Sequence, residues 1–142
     1  MITKTYDNSL LEVDAGKREV VSIINSDSVD RDQEIVQPQG MQKKDYAGNP
    51  IVLLGHDYRS LPIGSCKWIK ASKQNGQDVL VAKTYISDKT KESRDVFNLM
   101  QDGILKGFSI GFQSLQASAP TADEIKNKSH YGNAKLVHRK WN

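Results

Sequence analysis

Two side chains in this 142-residue sequence have the types and settings that nucleophilic chemistry needs. His56 follows the apolar run Ile51-Val-Leu-Leu54 after Gly55, and stands before Asp57 and a Pro62-Ile-Gly64 turn. Strand ends are where a rigid scaffold presents reactive groups. An imidazole titrates near pH 6.5 on average, which suits a base at neutral pH. Ser109 is the matching nucleophile, because Gly107 and Gly111 leave room on either side of a small hydroxyl and Phe108 and Phe112 frame it. A substrate backbone can approach such a serine closely, with main-chain N–H groups nearby for a developing oxyanion. The ordinary alternatives are a histidine satisfied by hydrogen bonds inside the fold and a short Gly-x-Ser-x-Gly pattern without function. The nucleophile elbow of α/β-hydrolases needs a strand-to-helix turn after the serine. Strand character here continues through Phe112, so that family fits poorly.

Other chemistry has weaker support. Cys66 with His56 is a second nucleophile–base pair, but a lone cysteine in an apolar strand is usually a small core residue. Asp27, Asp30, Asp32 and Glu34 lack the central glycine and distant glutamate of an EF-hand, so they read as a solvated loop. Gly107-x-x-x-Gly111 lacks the lysine of a phosphate-binding loop, which leaves nucleotide hydrolysis unsupported.

The elements that must position these residues are mostly strands. Lys17–Asn25 is short and β-branched, and reads as a buried strand followed by a polar loop from Ser26 to Glu34. About two helical turns fit between Gly40 and Tyr46. Ile63–Ala71 and Val79–Ile86 flank the turn-like Lys73-Gln-Asn-Gly-Gln77 and predict a hairpin. Ser87–Gly103 is the one sustained helix, because Val96, Leu99, Met100 and Ile104 recur at helical spacing, with Asp88 as cap and Gly103 as terminator. Lys106–Leu115 returns to strand, Ala117–Asn133 is a surface loop, and Lys135–Trp141 begins a further strand. Several short strands without regular β-α alternation predict a mainly β or α+β domain with a barrel-like sheet and flanking helices.

Length and composition agree with one domain over residues 1–142. The 37% hydrophobic residues sustain a core without disulfides or metals, and a single cysteine can build neither a disulfide nor a cysteine-based zinc site. No run approaches a membrane span of about 20 apolar residues, and the N-terminus lacks an apolar leader. A soluble protein in a reducing compartment, away from membranes, is expected. Net charge is +3, but five basic residues and no acid fall between Lys126 and Asn142, which leaves 15 basic against 17 acidic groups in the body. Nucleic-acid binding, which needs a concentrated basic face interleaved with aromatics, is not expected.

Four blocks in order carry a more specific signal: Ser28-Val-Asp-Arg-Asp-Gln-Glu-Ile-Val36, Asn49-Pro-Ile-Val-Leu-Leu-Gly-His-Asp57, Pro62-Ile-Gly64 and Gly103-Ile-Leu-Lys-Gly-Phe-Ser-Ile-Gly-Phe112. Together they resemble the prohead (capsid maturation) proteases of tailed bacteriophages, over residues from about 18 to 141. That family is similar in fold to the herpesvirus assemblins, a β-barrel surrounded by helices. The resemblance implies a serine endopeptidase, without cofactor or metal, that trims scaffold and major capsid protein during head assembly. Its place would be the assembling procapsid in the bacterial host cytoplasm. A non-catalytic assembly module keeping the fold is the rival reading. By motif, His56 matches the family's histidine and Ser109 its nucleophile. The third member is usually a glutamate in a strand after the polar loop, and the sequence stops at His138-Arg-Lys-Trp-Asn142. The resemblance therefore implies a domain truncated at its C-terminus, with the glutamate beyond Asn142 and His138 as the alternative third member. Slow or absent cleavage by these 142 residues, and self-association through an exposed strand edge, are the corresponding expectations.

Overall fold

The computed structural model describes residues 1–6 and 10–142. Its strands are β1 (Ile2–Tyr6), β2 (Leu10–Asp14), β3 (Glu19–Ser26), β4 (Glu34–Val36), β5 (Ile51–Val52), β6 (Gly64–Gln74), β7 (Gln77–Ile86), β8 (Phe108–Phe112), β9 (Ser114–Ser118) and β10 (Leu136–Trp141). Its helices are α1 (Lys43–Gly48), α2 (Lys91–Gln101) and α3 (Ala122–Asn127). Five antiparallel strands form the largest sheet, in the order β2-β3-β7-β6-β5. A second ladder pairs β1 antiparallel with β8, and a third runs β4-β10-β9, with β4 and β10 parallel. The fold is mainly β with flanking helices, as expected, and the described strands form three ladders without closing a barrel. No helix among the described residues is long and apolar enough to cross a membrane.

The predicted hairpin is β6–β7, closed by Asn75 and Gly76, both at positive φ (50° and 78°). That conformation is the one an Asn-Gly pair adopts at least cost in a two-residue turn. The predicted long helix is shorter than its periodicity suggests. Asp88 does not cap it; Thr90 accepts from the Ser93 backbone N–H at 3.1 Å, and the Ser93 hydroxyl accepts from that of Thr90 in return. At the other end Gly103 takes φ 71°, and the N–H groups of Gly103 and Ile104 return to the Met100 and Leu99 carbonyls. This closure turns Ile104 out to solvent. Val96, Phe97 and Met100 are the apolar residues α2 buries, against Val20, Ile63 and Ile86. A second core joins Val36, Leu80, Ile110, Phe112 and Trp141 beneath β8.

The segment 117–133 is not simply a surface loop. Thr121 and Glu124 form a capping box for α3, and the Arg139 guanidinium grips both Glu124 carboxylate oxygens, at 2.7 and 2.9 Å, tying α3 to β10. The guanidinium holds the Glu124 carboxyl down at about 2. Because the folded pKa lies below the ordinary value of 4.5, this fork stabilises the protein fully above pH 4.5 and less as pH falls toward 2. The stability difference between the native chain and Glu124→Gln should shrink over that window, by about 1 kcal/mol for a pair partly open to solvent, read by urea unfolding at each pH. A pH-independent difference would contradict the ion pair.

The acidic run is a loop with Asp32 exposed, as expected, but Asp27, Asp30 and Glu34 depart from a solvated reading, since they are largely buried partners of lysines. Asp30, Asp32 and Glu34 surround the buried Lys4 ammonium at 2.7, 2.9 and 3.3 Å, and Asp27 is fully buried with Lys128 at 3.0 Å. A buried ammonium needs such neighbours, because an unpaired charge inside a protein is costly.

Candidate active site

Alternation along β8 sets the direction of Ser109. Ile110 and Phe112 are buried in the second core, so Ser109 and Gly111 face the opposite side of the strand. His56 reaches Ser109 from a different part of the fold. Pro50 is held by the Cys66 N–H to its carbonyl, and β5 pairs with β6 through Ile51↔Ser65 and Val52↔Gly64. The Tyr46 hydroxyl donates to the Ile51 carbonyl at 2.9 Å and fixes α1 against the same strand. From this anchor the chain makes one tight 3-10 turn, Leu54–His56.

Gly55 and His56 both take positive φ in that turn, at 60° and 54°. Glycine does so at little cost, but a histidine does not, and strain of this kind collects at functional sites. The consequence is that the His56 Nε2 hydrogen-bonds with Ser109 Oγ. With the proton on Nδ1, the serine hydroxyl donates to Nε2, which is the arrangement a general base needs. Asp57 braces the turn rather than joining the pair: its carboxylate accepts from the Arg59 N–H at 2.9 Å and the Ser60 hydroxyl at 2.7 Å, which keeps its carboxyl below the usual range.

Gly111 lies against the ring and the Met1 side chain. A Cβ there would stand 3.4 Å from His56 Nδ1 and 2.5 Å from the Met1 sulfur. Among the described residues, Nδ1 forms no hydrogen bond. His138 lies elsewhere, buried, with Nε2 at 2.8 Å from Glu34 and Nδ1 at 2.8 Å from the Ser114 hydroxyl. Both of its ring nitrogens are thus committed away from His56. Cys66 donates its thiol to the Trp68 carbonyl at 3.3 Å, and burial pushes that thiol up, away from the thiolate form a nucleophile needs.

Beside the pair opens a cleft of about 490 Å³, lined by residues from α1, β5, β6, β7 and β8. Sequence reading did not find its walls, because Met41, Tyr46, Ile69 and Ala82 carry no reactive group. Only their convergence around Ser109 gives them a role.

A serine hydroxyl bonded to an imidazole at the edge of a mostly apolar cleft, in a mainly β domain, is an arrangement in which a serine can be activated for attack on a carbonyl. The chain belongs to the caudovirus prohead serine protease family, whose match covers residues 20–137 and so includes both side chains. It is 38% identical over 82 residues to a prohead protease of Escherichia phage T5, covering 56% of this chain and 35% of that protein. It is also 34% identical over 112 residues to a capsid polyprotein of Pseudomonas phage PAJU2, covering 75% of this chain and 16% of that protein. The chain thus spans about a third and a sixth of the lengths of these relatives. No solved structure matches it.

Proposed function

We propose that this chain is the catalytic domain of a serine endopeptidase that cuts scaffold and major capsid protein segments during phage head maturation. The observation that carries the proposal is the hydrogen bond between His56 Nε2 and Ser109 Oγ beside an open cleft. In the reaction, His56 takes the hydroxyl proton as Oγ bonds to the peptide carbonyl carbon. The imidazolium then gives that proton to the departing amine as the C–N bond breaks, leaving an acyl-serine. Water, deprotonated by the same nitrogen, releases the carboxylic acid and restores Ser109.

The third member of the site is proposed to be a glutamate supplied after Asn142. Supporting this, Nδ1 has no partner among the described residues, and Asn142 exchanges both backbone hydrogen bonds with Gln113, at 2.8 and 3.1 Å. Any residue that follows Asn142 therefore begins beside the strand that carries Ser109. The procapsid, inside the host cell, is the proposed place of action.

The test is cleavage of the cognate capsid or scaffold polypeptide by this chain and by a longer one that continues past Asn142. Cleavage by the longer chain that is lost with Ser109→Ala supports the reading. Capsid-protein binding without cleavage by either length, or cleavage that survives Ser109→Ala, would favour an assembly module or another nucleophile.

A further inference from the structure

The cleft beside Ser109 has mostly apolar walls. Met41, Ile51, Ile69 and Ala82 contribute apolar surface, Asn49, Thr84 and Gln113 add neutral polar groups, and three further polar groups of the lining are already used. Tyr46 donates to the Ile51 carbonyl at 2.9 Å, Cys66 to the Trp68 carbonyl at 3.3 Å, and the Trp141 indole N–H to the Gln37 carbonyl at 2.8 Å. Among the described residues, no lysine or arginine lines the cleft, and its one acidic side chain, Asp45, is exposed to solvent. A carboxylate entering it would find no lysine or arginine side chain and would lose its water, a costly transfer. A hydrocarbon side chain would lose nothing.

Depth and position matter as much. Ala82, in the middle of β7, is small and leaves the floor low, while Ser109 and His56 themselves line one side. The residue whose carbonyl Ser109 attacks is the one whose side chain falls nearest this space. We propose that the cleft is the primary specificity pocket and takes a large apolar side chain, of the leucine, methionine or phenylalanine kind, from that residue. The proposal rests on the reading of Ser109 as nucleophile, and the volume of about 490 Å³ is ample for such a side chain.

A panel of diphenyl aminoalkylphosphonates tests it, the probes differing only in the side chain next to phosphorus: leucine, phenylalanine, alanine, lysine and glutamate analogues. Ser109 Oγ displaces phenoxide from phosphorus, and the rate of adduct formation at Ser109 is followed by mass spectrometry. The leucine or phenylalanine probe should react roughly ten- to a hundredfold faster than the alanine probe, from the added apolar surface buried. The glutamate probe should be slower still. Ala82→Leu, which raises the floor, should slow the leucine probe by roughly tenfold or more and change the alanine probe little. If that variant fails to fold, the panel on the native chain decides alone. Alanine, lysine or glutamate probes reacting as fast as the leucine probe would overturn the pocket assignment while leaving the nucleophile intact. No adduct with any probe, on this chain or on one that continues past Asn142, would instead overturn the serine reading, and the pocket with it.

Discussion

Replacing Ser109 by alanine or His56 by asparagine should lower cleavage of the capsid or scaffold polypeptide by about 10³- to 10⁶-fold, as loss of nucleophile or base does in other serine enzymes. Asparagine is the informative choice at position 56. The backbone there is left-handed, with φ 54°, and asparagine tolerates that conformation better than most residues. The variant should therefore keep its fold, with unfolding free energy within about 0.5 kcal/mol of the native chain, while losing the group that accepts the Ser109 proton. The two variants should not be additive, since each removes the same unit. Unfolding curves and cleavage rates on the same preparations check both halves. Retained cleavage in His56→Asn would remove the imidazole from the mechanism, and a collapsed fold would show that its contribution is structural.

Gly64→Ala should have the largest effect on stability, about 3 kcal/mol or more, or roughly 10 °C in melting temperature. Gly64 is where three strands meet, paired with Val52 in β5 and Ile86 in β7. A Cβ on it would lie 2.0 Å from the Tyr85 carbonyl oxygen and 3.0 Å from its carbon. Those are backbone atoms of a hydrogen-bonded ladder and cannot move aside as a side chain tip can. Relief would have to come from β5, which anchors the turn bearing His56, so catalysis should fall with stability. Gly48→Ala is the comparison, because nothing lies within 4 Å of a Cβ there. Equal melting temperatures for the two variants would contradict the close approach at Gly64.

The same residue shows what can be read from a sequence and what cannot. Pro62-Ile-Gly64 marks a turn in the sequence, yet the reason for its glycine is a carbonyl 21 positions away. His56 and Ser109 stand out because few residue types can act as base and nucleophile, and the flanking glycines announce a crowded backbone. The hairpin and α2 are local, so alternation, an Asn-Gly turn and helical spacing suffice for them. What failed was longer in range. Asp30 and Glu34 read as solvated because their partner, Lys4, lies on β1, where a lysine among threonines gives no hint of an inward face; Asp32, which also pairs with Lys4, is exposed as expected. Ile104 keeps helical spacing but falls past the residue that ends the helix. The start of α3 was visible in Thr121-Ala-Asp-Glu124, a capping-box pattern, but it opens a helix of only six residues without an apolar stripe.

The most direct test of the Ser109–His56 site is labelling of the folded chain with a fluorophosphonate, followed by peptide mapping. A single adduct on the Ser109 hydroxyl, absent after mild acid denaturation and strongly slowed in His56→Asn, is the predicted result. An adduct on any other serine, or labelling of Ser109 that proceeds equally fast without the imidazole, would contradict it.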